Sequence, residues 1–262
     1  MTRMTSALDE KPGISPANRS LERGVEILRA FRPGSELLGN AELAERTGLS
    51  RSTVSRLTQT LVGAGMLQAE PAQRGYRLAP AVLSLAHAMR TGSSVLHLAA
   101  PLMRTLAEKQ KINVGLAAPD RDEMVYLESI RYNRRVSLRS VVSGQRVPIE
   151  LTSLGRAYLA AAPPARRQAL MQIFKARRTA QWSRLSVEIQ RALDAVAAQG
   201  YCVAAWQPEV VALAAPLRTD DGAIYVLNLS VSTTESMSAV ARELAGPLLK
   251  LAADVTQALR QG

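Results

Sequence analysis

Residues 40–61 read NAELAERTGLSRSTVSRLTQTL. With Asn40 as the first position of a helix-turn-helix, Ala44 falls fifth, Gly48 ninth, Val54 fifteenth and Leu57 eighteenth. Each place carries a steric demand. The fifth needs a small side chain where the two helices touch. The ninth needs a residue that accepts positive φ in a tight turn. The last two need apolar side chains facing the first helix. All four demands are met. Asn40 is expected to cap the first helix, AELAERT, and Ser50 the second, which starts at Arg51 and stops at 63–65.

The second helix has two sides. Val54, Leu57 and Leu61 share one face at helical spacing. Arg51, Ser52, Ser55, Arg56 and Gln59 fall mostly on the other. No acidic residue occurs between Arg46 and Gln68. An ordinary solvated helix mixes both signs, and a carboxylate here would repel phosphate. Hydroxyls of Ser52, Thr53 and Ser55, with backbone N–H groups at the helix start, suit phosphate oxygens. Arg51, Arg56 and Gln59 suit base edges in a major groove.

The flanks extend the pattern. Ser20 reads as the cap of LERGVEILRAF, with Leu21, Val25 and Leu28 on one apolar face and Ile27 and Phe31 less regularly placed. MLQAEPAQRGYRLA reads as a hairpin around a Pro/Gly turn. It puts Arg74 at the tip and Arg77 beside it, like a wing reaching flanking phosphate or minor groove. Residues 80–110 read as two helices with a break near 91–94. Their Ala, Leu and Met content suits a buried connector.

From residue 112 the period becomes that of strands. INVGLAA and EMVYLESI are joined by the turn PDRD, and RVSLRSVV continues the sheet. TSLGRAYLAAA starts a helix capped by Thr152 or Ser153. Helices are expected at 166–176 and 186–199. Strands VVALAAPLR and AIYVLNLSVS are joined by TDDG, and an amphipathic helix covers 236–260. The first 18 residues lack periodicity and read as a flexible tail.

Composition narrows the class. The 262 residues are 47% hydrophobic, enough for a real core, and only 4% aromatic, which disfavours base-stacking platforms. The net charge of +11 favours polyanionic partners, but residues 1–80 contribute only 11 basic against 8 acidic side chains. Placement therefore matters more than the total. A lone Cys202 excludes an intramolecular disulfide. No secretory leader and no membrane-length apolar run is read, so a cytoplasmic protein without membrane partners is expected. The two histidines, His87 and His97, stand in no nucleophile or metal spacing with Cys202. No phosphate-loop, GxSxG or dinucleotide pattern occurs. An enzyme, a metal site and a cofactor are not expected. The bases Arg166, Arg167, Lys175, Arg177 and Arg178 leave an RNA-binding or architectural role open, and otherwise read as a solvated helix face.

The ordered set SLERGVEILRAF, NAELAERTGLSRSTVSRLTQTLVGAGML, GYRLAPAVLSLA, VYLESI, RVPIELTSLGRAYLAA, AQGYCV and LAAPLRTDDGAIYVLNLSVS resembles the IclR family of bacterial transcriptional regulators. The resemblance runs over nearly the whole chain from Ser20. It implies an α+β protein: a tail (1–18), a winged helix-turn-helix (19–80), a linker helix (81–98) and a GAF-like α/β effector-binding domain (99–262). It implies a DNA operator, a homodimer or dimer of dimers, and a small organic acid as effector. TSLGRAYLAA, AQGYCV and LNLSVS look most like the branch that answers to aromatic acids or their ring-cleavage products.

In the family the effector pocket uses the loop before the TSLGR-type helix and polar residues of the last strand. Those positions here are Ser153, Leu154, Asn228 and Ser230. The physical reading agrees. Backbone N–H groups at Thr152, Ser153, Leu154 and Gly155 would make an anion site at a helix start. Asn228 and Ser230, two apart on a strand, share a face. The chain also departs from the pattern. After the GY-type strand it reads CVAAWQPEV, with Trp206 as a pocket wall or as core, and Ala212 stands where a pocket cysteine is common. A regulator or architectural protein that has lost its effector is the second reading.

Overall fold

The structure is a computed structural model, described here for residues 18–132 and 142–261. The expected tail, apart from Asn18, and nearly all of RVSLRSVV lie outside the described residues. The chain divides into two compact units, residues 1–87 and 88–262.

The first unit opens with α1 (Arg19–Ala30). Its cap is Asn18, not Ser20: the Asn18 side chain accepts from the N–H groups of Ser20 and Leu21, each at 3.1 Å. The core side of α1 also differs from the expected face. Gly24, Ile27 and Ala30 are buried, while Leu21 is 66% and Val25 40% exposed. Ile27 is set among Phe31, Leu38, Leu43, Val54 and Leu67, the core of the unit. α2 (Asn40–Thr47) is capped by Gly39, so Asn40 is its first helical residue rather than its cap. α2 ends at Gly48 with φ of +66°, the conformation the turn required.

Ser50 caps α3 (Arg51–Gly63), accepting from the Thr53 N–H at 3.2 Å. Val54 is fully buried as expected. The second fully buried residue is Thr58, whereas Leu57 and Leu61 are only partly covered. A hydroxyl tolerates this site because Thr58 Oγ1 donates to the Val54 carbonyl at 3.0 Å, inside its own helix. Strands β1 (Leu67–Glu70) and β2 (Gly75–Leu78) form the expected hairpin. Its tip is a short 3-10 turn at Pro71–Gln73 followed by Arg74 at φ of +50°.

α4 (Ala81–Thr91) carries no buried residue, so the expected buried connector is exposed within a single chain. The break at 92–93 precedes α5 (Ser94–Gln110), capped by Ser93. Val95, Leu96 and Ala99 of α5 already pack into the core of the second unit.

That unit is built on one antiparallel sheet in the order β5-β4-β3-β8-β7-β6. The strands are β3 (Asn113–Asp120), β4 (Glu123–Ile130), β5 (Arg146–Pro148), β6 (Cys202–Gln207), β7 (Val210–Arg218) and β8 (Ile224–Ser232). β5 has only three residues and went unread in the sequence, since so short a strand carries almost no period. α6 (Ser153–Ala161), α7 (Pro164–Arg177) and α8 (Trp182–Gln199) intervene between β5 and β6, and α9 (Met237–Gln261) closes the chain.

Alternation sorts the strand residues between two helical layers. Val114, Leu116, Leu213, Leu227 and Leu229 join residues of α5 and α9 on one face. Tyr126, Ala214, Val226 and Cys202 join residues of α6, α7 and α8 on the other. Both faces are covered, which explains the near-continuous apolar runs in β7 and β8.

Candidate DNA-binding surface and effector site

The exposed side of α3 carries Arg51, Ser52, Arg56 and Gln59, with Thr53 and Ser55 half-buried at its margin. Ser50, Ser52 and Thr53 form a hydroxyl cluster at the helix start: Ser50 Oγ lies 3.1 Å from Ser52 Oγ and 2.9 Å from Thr53 Oγ1. The first turn holds no acid. Among the described residues no carboxylate pairs with Arg51 or Arg56. No described carboxylate therefore neutralises their charges, which suits binding to a polyanion.

The wing is tied to the same body. Leu38 and Tyr76 exchange backbone hydrogen bonds of 3.1 and 3.0 Å, which anchors β2 to the segment entering α2. Gly39 sits against the wing tip, where a Cβ would lie 3.3 Å from the Arg74 carbonyl. Arg74 is exposed at that tip. Arg77, by contrast, lies on β2 with Nε 3.6 Å from Glu70 Oε1 across the hairpin. Asn40 is half-buried, and its Oδ1 has no hydrogen-bond partner.

In the second unit, the start of α6 is narrower as an anion site than the sequence suggests. Thr152 is the cap, and its Oγ1 accepts from the Gly155 N–H at 3.1 Å. Of the four expected N–H donors, that of Gly155 is thus already engaged. Thr152 Oγ1 in turn donates to the Pro148 carbonyl at 2.8 Å, locking the preceding loop. Gly155 has a packing reason: a Cβ there would overlap the Cα and carbonyl of Ile149. Ser153 is buried, and its carbonyl accepts from Cys202 Sγ at 3.4 Å. The Leu154 side chain is part of the core between α6, α8 and the sheet.

The sheet face beneath α6 carries the remaining residues. Register pairs Asn113 with Ser230, Ser230 with Ala212, and Ala212 with Ala204. The next row pairs Gly115 with Asn228, Asn228 with Ala214, and Ala214 with Cys202. Asn228 and Ser230 therefore share a face, together with Ala212. Asn228 is 4% exposed. Gly115 makes room for it, since a Cβ would overlap the Asn228 amide oxygen and stand 2.6 Å from Tyr126 Cε1. Burial pushes the Tyr126 phenol above its ordinary range, partly opposed by a hydrogen bond with the Asn228 amide. Trp206 is half-buried against the same core, beside a register irregularity in β6. Burial also pushes the Cys202 thiol up to about 12.

The sequence reading missed Asn113, Gly115, Tyr126, Glu150 and Arg156 here. Glu150 is fully buried, with Oε1 3.0 Å from Arg178 Nε and 4.0 Å from Arg177 Nη1. Arg156 donates to the Glu150 carbonyl at 3.1 Å and to Glu188 at 2.9 Å. Arg177 also pairs with Asp122, and Arg166 donates to the Arg121 carbonyl. Of the basic run at 166–178, Arg166, Arg177 and Arg178 thus make ion pairs or carbonyl contacts, while Lys175 and Arg177 remain exposed on the solvated face that the sequence suggests.

Comparison with known proteins agrees with both units. The model of the IclR helix-turn-helix domain matches residues 20–71, and that of the bacterial transcriptional regulator IclR C-terminal domain matches residues 87–257. The HTH-type transcriptional regulator TsaQ1/TsaQ2 of Comamonas testosteroni is 35% identical over 188 residues, 70% of this chain and 66% of that protein. HTH-type transcriptional regulator Rv1719 of Mycobacterium tuberculosis is 30% identical over 60% of each chain. The alignments thus span just under two thirds of these relatives. An IclR family transcriptional regulator from Brucella abortus superposes with a TM-score of 0.83 at 32% identity, covering 93% of both chains. An IclR homologue from Microbacterium hydrocarbonoxydans, solved with 4-hydroxybenzoate, shares the fold at a TM-score of 0.70 and 21% identity, over 93% of this chain and 100% of its own. With family models matching both units in order, the chain belongs to the IclR family of bacterial transcriptional regulators.

Proposed function

We propose that the protein binds a DNA operator through α3 and the wing, and that a small organic acid held in the second unit modulates this binding. The observation that carries the DNA-binding part is the outer face of α3, with Arg51 and Arg56 unpaired by any carboxylate among the described residues. In this reading Ser50, Ser52, Thr53, Ser55 and Asn40 hold phosphates, and Arg51, Arg56 and Gln59 read base edges. Arg74 reaches flanking backbone from the wing tip, and Arg77 does so only by leaving Glu70. The acid lies between the α6 start (Thr152, Ser153, Leu154, Gly155) and the strand face of Asn228, Ser230 and Ala212, with Trp206 at one side. Aromatic acids are the first class to test, and 4-hydroxybenzoate, the compound solved with the Microbacterium protein, is a ready probe.

The working unit is a homodimer or dimer of dimers in the cytoplasm, built from a DNA-binding domain (19–80), a linker (81–98) and an effector domain (99–262). The exposure of α4 supports a second copy: Leu83 is 74% and Leu85 59% exposed, a cost in water that partner burial removes. Two recognition helices then enter successive major grooves of a pseudo-palindromic site. The acid acts by binding the two placements of these helices with different affinity. A regulator without an effector is the second reading, favoured by the apolar Ala204 and Ala212 on the strand face. The test is a band-shift titration on operator DNA against salt, with and without acid. The reading requires affinity that falls steeply with salt and shifts with at least one acid. Salt-independent binding would contradict it.

A further inference from the structure

In the last two turns of α4 one side chain turns away from solvent. Every residue from Leu85 to Thr91 is exposed except Arg90. Its guanidinium lies 2.6 Å from Glu128 Oε2 and donates to the Leu127 carbonyl, both on β4.

Strand β4 is shaped to receive it. The ladder pairs Leu116 with Glu128 and Ala117 with Tyr126, so Leu127 is passed over as the extra residue of a bulge. A bulge leaves its extra residue unpaired in the ladder, and here Arg90 takes up the Leu127 carbonyl. Glu128 is also held independently of Arg90. Its Oε1 accepts from the Ser129 N–H and the Ser143 hydroxyl, which leaves Oε2 for the guanidinium. A partly exposed ion pair adds little to stability. A bulge and two further donors arranged around one are better explained by what they hold in place.

What they hold is the end of a lever. α4 runs from Ala81 to Thr91, with residues 81–87 in the first unit and 88–91 in the second. After Thr91 the helix breaks at Gly92 and Ser93 before α5 begins. Arg90 stands beside that joint, so its grip sets the direction in which α4 leaves the sheet. A tilt of about 20° at the Arg90 end moves the Ala81 end by roughly 5 Å, more than the ~3.4 Å rise of one base pair. Two recognition helices that enter successive major grooves have no such slack.

We infer that Arg90, through its clamp on Glu128 and Leu127, is a positioning residue for DNA binding: it fixes the angle of α4 and thereby the half-site spacing that the dimer accepts. This rests on the dimeric operator-binding reading above and adds to it the residue that sets the spacing.

The test uses the full-length protein and two variants that break the clamp from opposite ends, Arg90→Ala and Glu128→Gln. Fluorescence anisotropy compares three duplexes: one selected from random DNA by the wild type, the same sequence with two base pairs inserted at its centre, and one half-site alone. Wild type should bind the lengthened duplex about tenfold or more weaker than the selected one, since the insertion shifts and rotates one half-site against the other. Arg90→Ala should shrink that penalty to about threefold or less, and Glu128→Gln, which keeps the Leu127 contact, should fall between. Both should bind the half-site as wild type does. A clamp that serves only the fold would lower the melting temperature of both variants and leave the penalty at its wild-type value. A penalty unchanged in either variant would overturn the inference. If wild type binds the half-site but shows no spacing penalty, the dimeric reading fails, and if it selects no duplex, the DNA-binding reading fails; either takes this inference with it.

Discussion

The guanidinium of Arg90, in the last turn of α4, grips strand β4 twice: Nη2 lies 2.6 Å from Glu128 Oε2, and Nη1 donates to the Leu127 carbonyl. Glu128 is held in turn by the Ser129 N–H at 2.9 Å and the Ser143 hydroxyl at 3.3 Å. Burial raises the Glu128 carboxyl pKa, but Arg90 and these donors outweigh it and leave the group below its ordinary value of 4.5. A carboxyl depressed by folding stabilises above its unfolded pKa, and the contribution is lost as pH falls through the folded value. Arg90→Ala should therefore cost about 1 kcal/mol near pH 7, a size set by the partial exposure of the pair. The deficit should shrink below about pH 4. Urea titrations at pH 7 and pH 3.5 check this, and an equal deficit at both would contradict it.

Gly48→Val should destabilise the first unit by about 2 kcal/mol, because a β-branched residue is strained at φ of +66°. Gly48→Asn, which accepts that conformation more readily, should lose less than half as much. Denaturant unfolding of the three proteins compares them directly. Equal losses in both variants would place the cost in packing rather than backbone conformation.

Gly155→Ala should cost about 1–3 kcal/mol, since the added methyl meets the backbone of Ile149 and not a side chain that can turn away. α6 must lift for the variant to fold. A melting temperature within 1 °C of wild type (about 0.3 kcal/mol for a unit of this size) would mean the loop before α6 moves freely.

Cys202 should resist thiol reagents in the native protein. It is buried, and its thiol is pushed up to about 12, so almost no thiolate exists at pH 8. Labelling by a disulfide reagent should track global unfolding in urea. Rapid reaction without denaturant would show that the sheet beneath α6 opens locally.

Helix and strand placement was legible because period and punctuation agreed. Gly48, Ser50 and the Gly-rich stop after α3 each act locally, and each stands where the sequence reading put it. The errors came from tertiary choices. Ile27 rather than Leu21 faces the core because α2 and α3 decide which side of α1 is covered. Thr58 is buried because a hydroxyl can satisfy itself inside a helix. Ser20 lost the cap to Asn18, and Asn40 to Gly39, within the usual uncertainty of a helix end. At the second site, Asn228 and Ser230 were found by strand alternation. Asn113 was passed over because a lone Asn in INVGLAA looks like the solvent side of a strand, and nothing local reveals that β3 is covered on both faces. Glu150, Arg177 and Arg178 lie about 28 residues apart in sequence, and pairing over such a distance leaves no periodic trace.

The central claim is that α3 reads DNA through Arg51 and Arg56, which pair with no carboxylate among the described residues. The direct measurement is to select duplexes from random DNA with the wild-type protein and titrate the winner with Arg56→Ala. The account predicts a loss of about 1–3 kcal/mol on the selected duplex, with unfolding unchanged and binding to random DNA far less affected. Equal affinity of both proteins for the selected duplex, with the same base preferences, would contradict it.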